Sequence, residues 1–195
     1  MGTQGDKPEG ARSGWKLLGS ETRFETDLQR LREDEVEVRG GKRIHYAYLE
    51  RAPAVIVVPI TAAGEMILLK QYRYPVDEWC LEVPAGGTHD TGDQPLEDVV
   101  RKELREEIGA TCGALTQVGS FYTAPSSSTE RCHVFLAENV DVVRQPDTEP
   151  SVEIEVRLFP AEEVVEMART GKMKDSPCTL AVLWCEPLLR ERGYL

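Results

Sequence analysis

The first part of the chain spaces its hydrophobic and polar residues as short antiparallel strands do. Two strand candidates, WKLLGSETRFET and LQRLREDEVEV, are followed by the turn signal GGK and by IHYAYLE. Because side chains alternate between the two faces of a strand, Ile44, Tyr46 and Tyr48 of the last segment share one face. The pattern predicts an N-terminal antiparallel β meander over residues 14–52. Residues 1–13 are polar and are expected to form a disordered tail.

A larger domain is predicted for residues 53–195. AVIVVPI, at 54–60, is a continuous apolar run, which is typical of a strand buried on both faces. MILLKQYRY and WCLEVPAGG follow it, and further strands are predicted near 115–123, 131–138 and 153–159. Proline and glycine positions bound helical patterns at 95–109, 160–171 and 176–193. This mixture predicts an α/β fold with a mixed sheet flanked by helices.

The first predicted helix contains an unusual group of glutamates. At about 100° per residue, Glu103 and Glu107 lie in the middle of the apolar half of the helix, and Glu106 lies at its edge. A carboxylate that faces a core costs several kcal/mol unless it is paired. A solvated acidic face would also explain the pattern. A divalent cation is the alternative that compensates several carboxylates at once, and Mg²⁺ also binds phosphate oxygens.

Composition narrows the possible partners. The chain has 195 residues and a net charge of −11, so extended nucleic-acid binding is not expected. No stretch approaches the roughly 20 apolar residues that span a bilayer, so no membrane partner is expected. Five cysteines without a CxxC pair argue against zinc and indicate free thiols in a reducing cytoplasm.

Residues 86–110, GGTHDTGDQPLEDVVRKELREEIGA, resemble the signature of the Nudix family, G-x5-E-x7-R-E-U-x-E-E-x-G-U with U apolar. The part ELREEIGA matches the second half fully. The segments LLKQYRYPVDEWCLEVPAGG and SFYTAPSSSTERCHVFLAE resemble the ADP-ribose pyrophosphatase branch of that family. The resemblance implies a Nudix-type α/β/α sandwich, preceded by a β region that contributes to a homodimer.

Three features depart from the signature. Asp93 stands in place of its first glutamate, Lys102 stands in place of its arginine, and the gap between them is one residue longer. The resemblance implies that these two positions form a mainly structural pair. Because lysine lacks the planar fork of arginine, the replacement is not neutral.

The resemblance also implies roles for individual residues. Glu103 and Glu107 would bind Mg²⁺, or alternatively Mn²⁺, together with the carbonyl of Ala85, and Glu106 would be a third ligand or a bridging partner. A loop glutamate would be the general base, with Glu149 preferred and Glu153 as the alternate. Substrate contacts are expected from two arginines, two aromatic rings that stack on the base, and a carboxylate that accepts from the adenine amino group: Arg51, Arg73, Trp15, Tyr46 and Glu82.

These assignments predict metal-dependent hydrolysis of ADP-ribose, a small nucleotide sugar, to AMP and ribose 5-phosphate. Two alternatives stay open. One is a pyrophosphatase for a GDP-sugar or another nucleotide sugar, with the same metal site and a different base pocket. The other is a non-catalytic nucleotide-binding regulatory module on the same fold. Each residue named above also has a plainer explanation, such as a surface ion pair or ordinary sheet packing.

Overall fold

The computed structural model describes residues 10–89, 92, 94–144 and 154–195. The chain divides into two compact units. The first contains the chain up to Ala52 together with Ala124–Glu130, and the second contains Pro53–Thr123 and Arg131–Leu195.

The first unit is built on a three-stranded antiparallel sheet in the order β1-β2-β3, with β1 at Lys16–Glu25, β2 at Gln29–Glu37 and β3 at Arg43–Arg51. The predicted meander is therefore confirmed. Gly40 and Gly41, in the turn between β2 and β3, have φ angles of 89° and 79°, which glycine adopts without steric cost. Residues 124–130 return to this unit, where Leu49 N–H donates to the carbonyl of Ser127.

The start of the chain differs in part from the prediction. Residues 11–13 were expected in a disordered tail, but Ala11–Ser13 form a short 3-10 helix. Local hydrogen bonds explain it, because Ser13 Oγ donates to the Gly10 carbonyl at 2.9 Å and Arg39 Nε donates to the Ser13 carbonyl at 2.8 Å. Residues 1–9 lie outside the described part of the chain.

The second unit contains a mixed sheet in the order β12-β5-β4-β10-β9, in which β4 and β10 run parallel and the other pairs are antiparallel. Its strands are β4 (Ala54–Ile60), β5 (Glu65–Arg73), β6 (Glu78–Glu82), β7 (Ala85–Gly87), β8 (Ala110–Thr111), β9 (Leu115–Tyr122), β10 (Arg131–Glu138), β11 (Asp141–Val142) and β12 (Ile154–Pro160). Its helices are α1 (Leu96–Ile108), α2 (Ala161–Arg169) and α3 (Ser176–Glu191). Strands β8 and β11 form a separate two-stranded pair.

Alternate residues of the central strands face opposite helical layers. Val55 and Val57 pack in a buried cluster with α1, whereas Ile56 and Val58 pack in a second cluster with α2 and α3. Strand β4 is thus buried on both faces, as its apolar run predicts. The predicted α/β/α sandwich is confirmed. No helix in the described ranges combines the length and apolar character needed to cross a bilayer.

The sheet forks between β4 and β5. These strands share one residue pair, Ile60 with Met66, and then separate. Beyond that point β7 pairs with β4, and β6 pairs with β5. Because of the fork, β7 lies beside β4 and contacts α1.

Phe135 anchors the cluster beneath α1. It lies on β10, between β4 and β9, and its side chain is 1% exposed. Replacing Phe135 by Ala is expected to lower the free energy of unfolding by about 3–5 kcal/mol, because the cavity cannot fully close. Urea denaturation followed by circular dichroism measures this loss. The control Leu158→Ala removes a side chain that is 47% exposed and should cost less than about 1 kcal/mol; equal losses would contradict the assigned core.

Candidate active site

Helix α1 presents two carboxylates to the protein interior. Its apolar residues Val99, Val100, Leu104 and Ile108 are fully buried, which fixes the rotation of the helix against the sheet. Glu103 lies on the same side and is only 8% exposed. Glu107, one helical turn later, is partly accessible to solvent. Helix α1 therefore directs both glutamates inward, as its sequence pattern predicts.

The Glu103 carboxylate lies directly against the backbone of Gly86. A methyl group at Gly86 would overlap all three atoms of that carboxylate group, so a residue with a Cβ there would force the carboxylate to move. Gly87, next in the chain, differs, because a methyl group there would come no closer than 3.0 Å, to the side chain of the exposed residue His89. Gly86 therefore has a specific packing role at this site.

Ala85 holds the second carboxylate. Its N–H donates to Glu107 Oε2 at 2.9 Å. Ala85 is opposite Ile56 in the β4–β7 pair, and the neighbouring bond runs from Val57 N–H to the Pro84 carbonyl. Ala85 thus occupies a non-hydrogen-bonded position of the ladder, which directs both its N–H and its carbonyl away from β4. The carbonyl oxygen is therefore on the same edge as Glu107.

The two carboxylates influence each other's ionisation. Burial, and to a smaller extent the Glu103 carboxylate, raise the pKa of Glu107 to about 8, although the Ala85 N–H acts in the opposite direction. Glu106 is directed to the outer side of the helix, where its carboxylate is 3.9 Å from Lys102 Nζ. Two adjacent carboxylates and a nearby carbonyl are the hard oxygen donors that Mg²⁺ and Mn²⁺ prefer.

The donor atoms at this site therefore suit a divalent metal ion, but the described side chains are not yet arranged around one point. Among the described residues, no three His, Cys, Asp or Glu side chains already surround one point as metal ligands. The reason is visible in α1, because Glu106 is turned toward Lys102 while Glu107 binds the Ala85 N–H.

Two of the predicted substrate contacts bind each other. Arg73, at the end of β5, donates from Nε to Glu82 Oε1 at 2.8 Å and from its second terminal nitrogen to Glu82 Oε2. Glu82 is 4% exposed, so this two-point ion pair compensates a buried charge. In the β5–β6 hairpin Arg73 stands opposite Glu78, so its ion pair with Glu82 runs along the hairpin, which the sequence did not indicate. Glu82 can accept from a substrate amino group only in addition to, or in place of, Arg73.

The other predicted contacts belong to the first unit. The rings of Trp15 and Tyr46 lie 6.4 Å apart between centroids, and Tyr46 OH donates to the Ser126 carbonyl at 2.8 Å. Both rings line a cavity of about 260 Å³, together with Asp34, Tyr48 and backbone and side chains of residues 125–128. Arg51 forms an ion pair with Glu130 at 3.0 Å.

Sequence reasoning missed Asp34, Tyr48 and residues 126–128 as parts of this cavity. Tyr48 was placed on the same face as Tyr46, which was the one available signal. Asp34 gave none, since it stands in the charged run REDEVE. The predicted bases Glu149 and Glu153, and Asp93 of the proposed structural pair, lie outside the described residues.

Comparisons with known proteins identify the family of the chain. The model of the NUDIX domain matches residues 50–180. An ADP-ribose pyrophosphatase of Bacillus subtilis (strain 168) is 36% identical over 175 residues, covering 88% of this chain and 92% of that protein. A GDP-mannose pyrophosphatase of Cronobacter sakazakii is 33% identical over 123 residues, covering 59% and 63%.

A solved structure described as an ADP compounds hydrolase matches the fold with a TM-score of 0.80. It is 20% identical in sequence, and the match covers 93% of this chain and 97% of the other. The family model, which includes α1 and the strand before it, and the extent of the sequence match lead to one conclusion. The chain belongs to the Nudix family and is a hydrolase that resembles ADP-ribose pyrophosphatases.

Proposed function

We propose that this Nudix hydrolase cleaves the pyrophosphate bond of ADP-ribose in a Mg²⁺-dependent reaction, with AMP and ribose 5-phosphate as products. The observation that carries the proposal is the pair of inward-facing carboxylates, Glu103 and Glu107, held against the backbone of Ala85 and Gly86. A diphosphate is itself anionic, so it can bind beside two carboxylates only if cations lie between them. The relative from Bacillus subtilis, named an ADP-ribose pyrophosphatase, supports the choice of substrate.

Glu103, Glu107 and the Ala85 carbonyl would hold the Mg²⁺, with Glu106 joining them after leaving Lys102; Mn²⁺ suits the same donors. When bound, the ion polarises phosphoryl oxygens and lowers the pKa of a coordinated water. Glu103 and Glu107 orient that centre relative to the strand backbone. Glu149 or Glu153, which precede β12 in sequence, is proposed to accept the proton of the attacking water.

The arginines are proposed to bind the charged and polar groups of the substrate. Arg73 is held in place by Glu82, so its remaining donor nitrogen has a fixed direction toward a ligand oxygen. Arg51, paired with Glu130, is proposed to contact substrate by exchanging part of that ion pair. Glu82, proposed earlier as an acceptor for the base, in this arrangement mainly orients Arg73.

The cavity lined by Trp15 and Tyr46 is proposed to hold the nucleobase. Its aromatic walls offer a flat apolar ring the stacking contacts that bases prefer. Its volume of about 260 Å³ suits one ring system better than a complete nucleotide sugar.

The GDP-mannose pyrophosphatase relative supports a second candidate, hydrolysis of a GDP-sugar at the same metal site. Relative kcat/KM for ADP-ribose and GDP-mannose separates the two substrates. Binding of ADP-ribose without Mg²⁺-dependent turnover would instead favour the non-catalytic alternative.

A cytoplasmic homodimer is also proposed. The cysteines of the chain are free thiols, as expected in a reducing compartment. The proposed dimer rests on the resemblance of the N-terminal β region to that of the family branch. Sedimentation equilibrium should give twice the mass of one chain, and a mass of one chain would contradict it.

Replacing Glu107 by Gln should reduce Mg²⁺-dependent turnover of ADP-ribose by about 10²–10⁴-fold, because an electrostatic contribution to the reacting centre is lost. The variant should also lose the rise in melting temperature that Mg²⁺ gives the unchanged protein, since a ligand stabilises only the state that binds it. Glu97→Gln is the matched control, because Glu97 is an exposed residue of the same helix. Equal activity of Glu107→Gln and the unchanged protein would defeat the metal-ligand assignment.

Gly86→Ala should reduce turnover by at least about 10²-fold, because the added methyl group displaces the Glu103 carboxylate. Gly87→Ala should retain activity within about threefold, since it meets only an exposed side chain that can move. Neither glycine has a positive φ, so backbone strain does not confuse the comparison. Steady-state kinetics of the two variants measure the difference. A similar loss of turnover in both would show that the close approach at Gly86 is unimportant.

A further inference from the structure

Arg101 joins helix α1 to the chain that follows it. Its partly buried guanidinium donates from Nη1 to the Cys112 carbonyl at 3.0 Å and to Cys112 Sγ at 3.1 Å, and from Nη2 to the Gly113 carbonyl at 3.2 Å. No role was predicted for this residue from the sequence. Because the donors of arginine form a rigid planar fork, these contacts hold the helix and the following chain in a defined orientation.

The residues that Arg101 binds are themselves fixed to the central sheet. Gly113 N–H donates to the Glu138 carbonyl at 2.9 Å, and Glu138 N–H donates to the Ala114 carbonyl at 3.0 Å. Glu138 is the last residue of β10, which pairs with β4, and β4 in turn pairs with β7. A continuous series of hydrogen bonds therefore runs from α1 through β10 and β4 to the strand that the two inner glutamates contact.

Arg101 is a second attachment point for the helix. Gly109, with a φ of 64°, ends α1, and its carbonyl accepts the N–H groups of residues 143 and 144 at 3.0 Å and 3.2 Å. A helix attached only at that end could pivot about it. Arg101 lies roughly two turns earlier, about 12 Å along the helix axis, so its contacts oppose this movement. Glu103 and Glu107 lie between the two attachment points.

The inner glutamates tolerate little movement of α1. The Glu103 carboxylate is so close to the Gly86 backbone that an added Cβ would stand 2.1 Å from its Cδ. Glu107 Oε2 accepts from the Ala85 N–H at 2.9 Å, and a hydrogen bond weakens steeply when its geometry changes. The apolar side chains of α1 determine which side faces the sheet, but hydrophobic packing is non-directional. Directional contacts such as those of Arg101 are needed to fix the remaining shift of the helix across the sheet.

We propose that Arg101 is a positioning residue for the metal site, which fixes α1 so that Glu103 and Glu107 bind one divalent cation together. The proposal rests on the proposed function in one respect, namely that these two glutamates are metal ligands. It adds a residue that contacts neither the metal ion nor the substrate and acts through the helix. Groups that orient metal ligands in this way contribute about 10-fold to 100-fold to metal affinity.

The test measures the Mn²⁺ affinity of the metal-free full chain by electron paramagnetic resonance, in which unbound Mn²⁺ gives the signal. Arg101→Lys keeps the charge and loses the planar fork, and it should weaken Mn²⁺ binding about tenfold. Arg101→Ala should weaken it by up to about a hundredfold. The Mg²⁺ concentration that gives half-maximal turnover of ADP-ribose should rise by a similar factor. Saturating Mg²⁺ should restore kcat to within about threefold, because excess metal favours the aligned position of α1.

Arg105→Lys and Arg105→Ala are the matched controls, because Arg105 is an exposed arginine one turn later on the same helix. They should leave Mn²⁺ affinity within about twofold of that of the unchanged protein. If Arg101→Ala does not fold, as circular dichroism would show, the two lysine variants still decide. A lower melting temperature of Arg101→Lys with unchanged Mn²⁺ affinity would overturn the proposal, and so would an equal loss of affinity in Arg105→Lys.

The failures of this proposal and of the proposed reaction are distinguishable, because Mn²⁺ binding and turnover are measured separately. Turnover of ADP-ribose with a Mn²⁺ affinity that Arg101→Lys leaves unchanged would reject Arg101 and retain the reaction. A Mn²⁺ affinity that depends on Arg101, in a protein without turnover, would retain Arg101 and reject the reaction. Absence of Mn²⁺ binding to the unchanged protein would reject both.

Discussion

Two carboxylates of one helix are held against strand backbone, one beside a glycine and the other on a backbone N–H. Glu103 can pack against Gly86 only because glycine lacks a Cβ, and Glu107 reaches the N–H of Ala85 because that residue is turned away from β4. The apolar residues of α1 fix the rotation of the helix and so keep both carboxylates inward. The proposed chemistry of the protein depends on this contact, since it creates a negative site that a cation completes.

The charged side chains near this contact form ion pairs with other residues. Arg73 is near enough to influence Glu107, but its guanidinium is committed to Glu82. Lys102 lies on the outer side of α1 with Glu106. The Arg73 guanidinium is thus directed to Glu82, while Glu107 accepts from the Ala85 N–H.

Periodicity was sufficient to predict the inward direction of Glu103 and Glu107, because four buried apolar residues on one helix define its face without reference to the rest of the chain. The buried character of β4 followed for the same reason. The cavity of the first unit could not be found this way. Asp34 and Ser126 are far apart in sequence, and the β1–β2 pair contains irregularities near Gly19 and Phe24 that shift which residues stand opposite one another. The Arg73–Glu82 ion pair likewise depends on the geometry of a hairpin.

The fork between β4 and β5 limits where this chain can vary in length. Residues 83–87 leave the pair with β5 and enter the pair with β4, so adding one residue there would exchange the two edges of β7 and turn the Ala85 N–H away from Glu107. Just beyond β7, the N–H and the hydroxyl of Thr88 both donate to the Pro53 carbonyl, which extends this constraint by one residue. The extra residue relative to the family signature lies between Asp93 and Lys102 in sequence, beyond this paired segment, so its addition leaves the register of β7 unchanged.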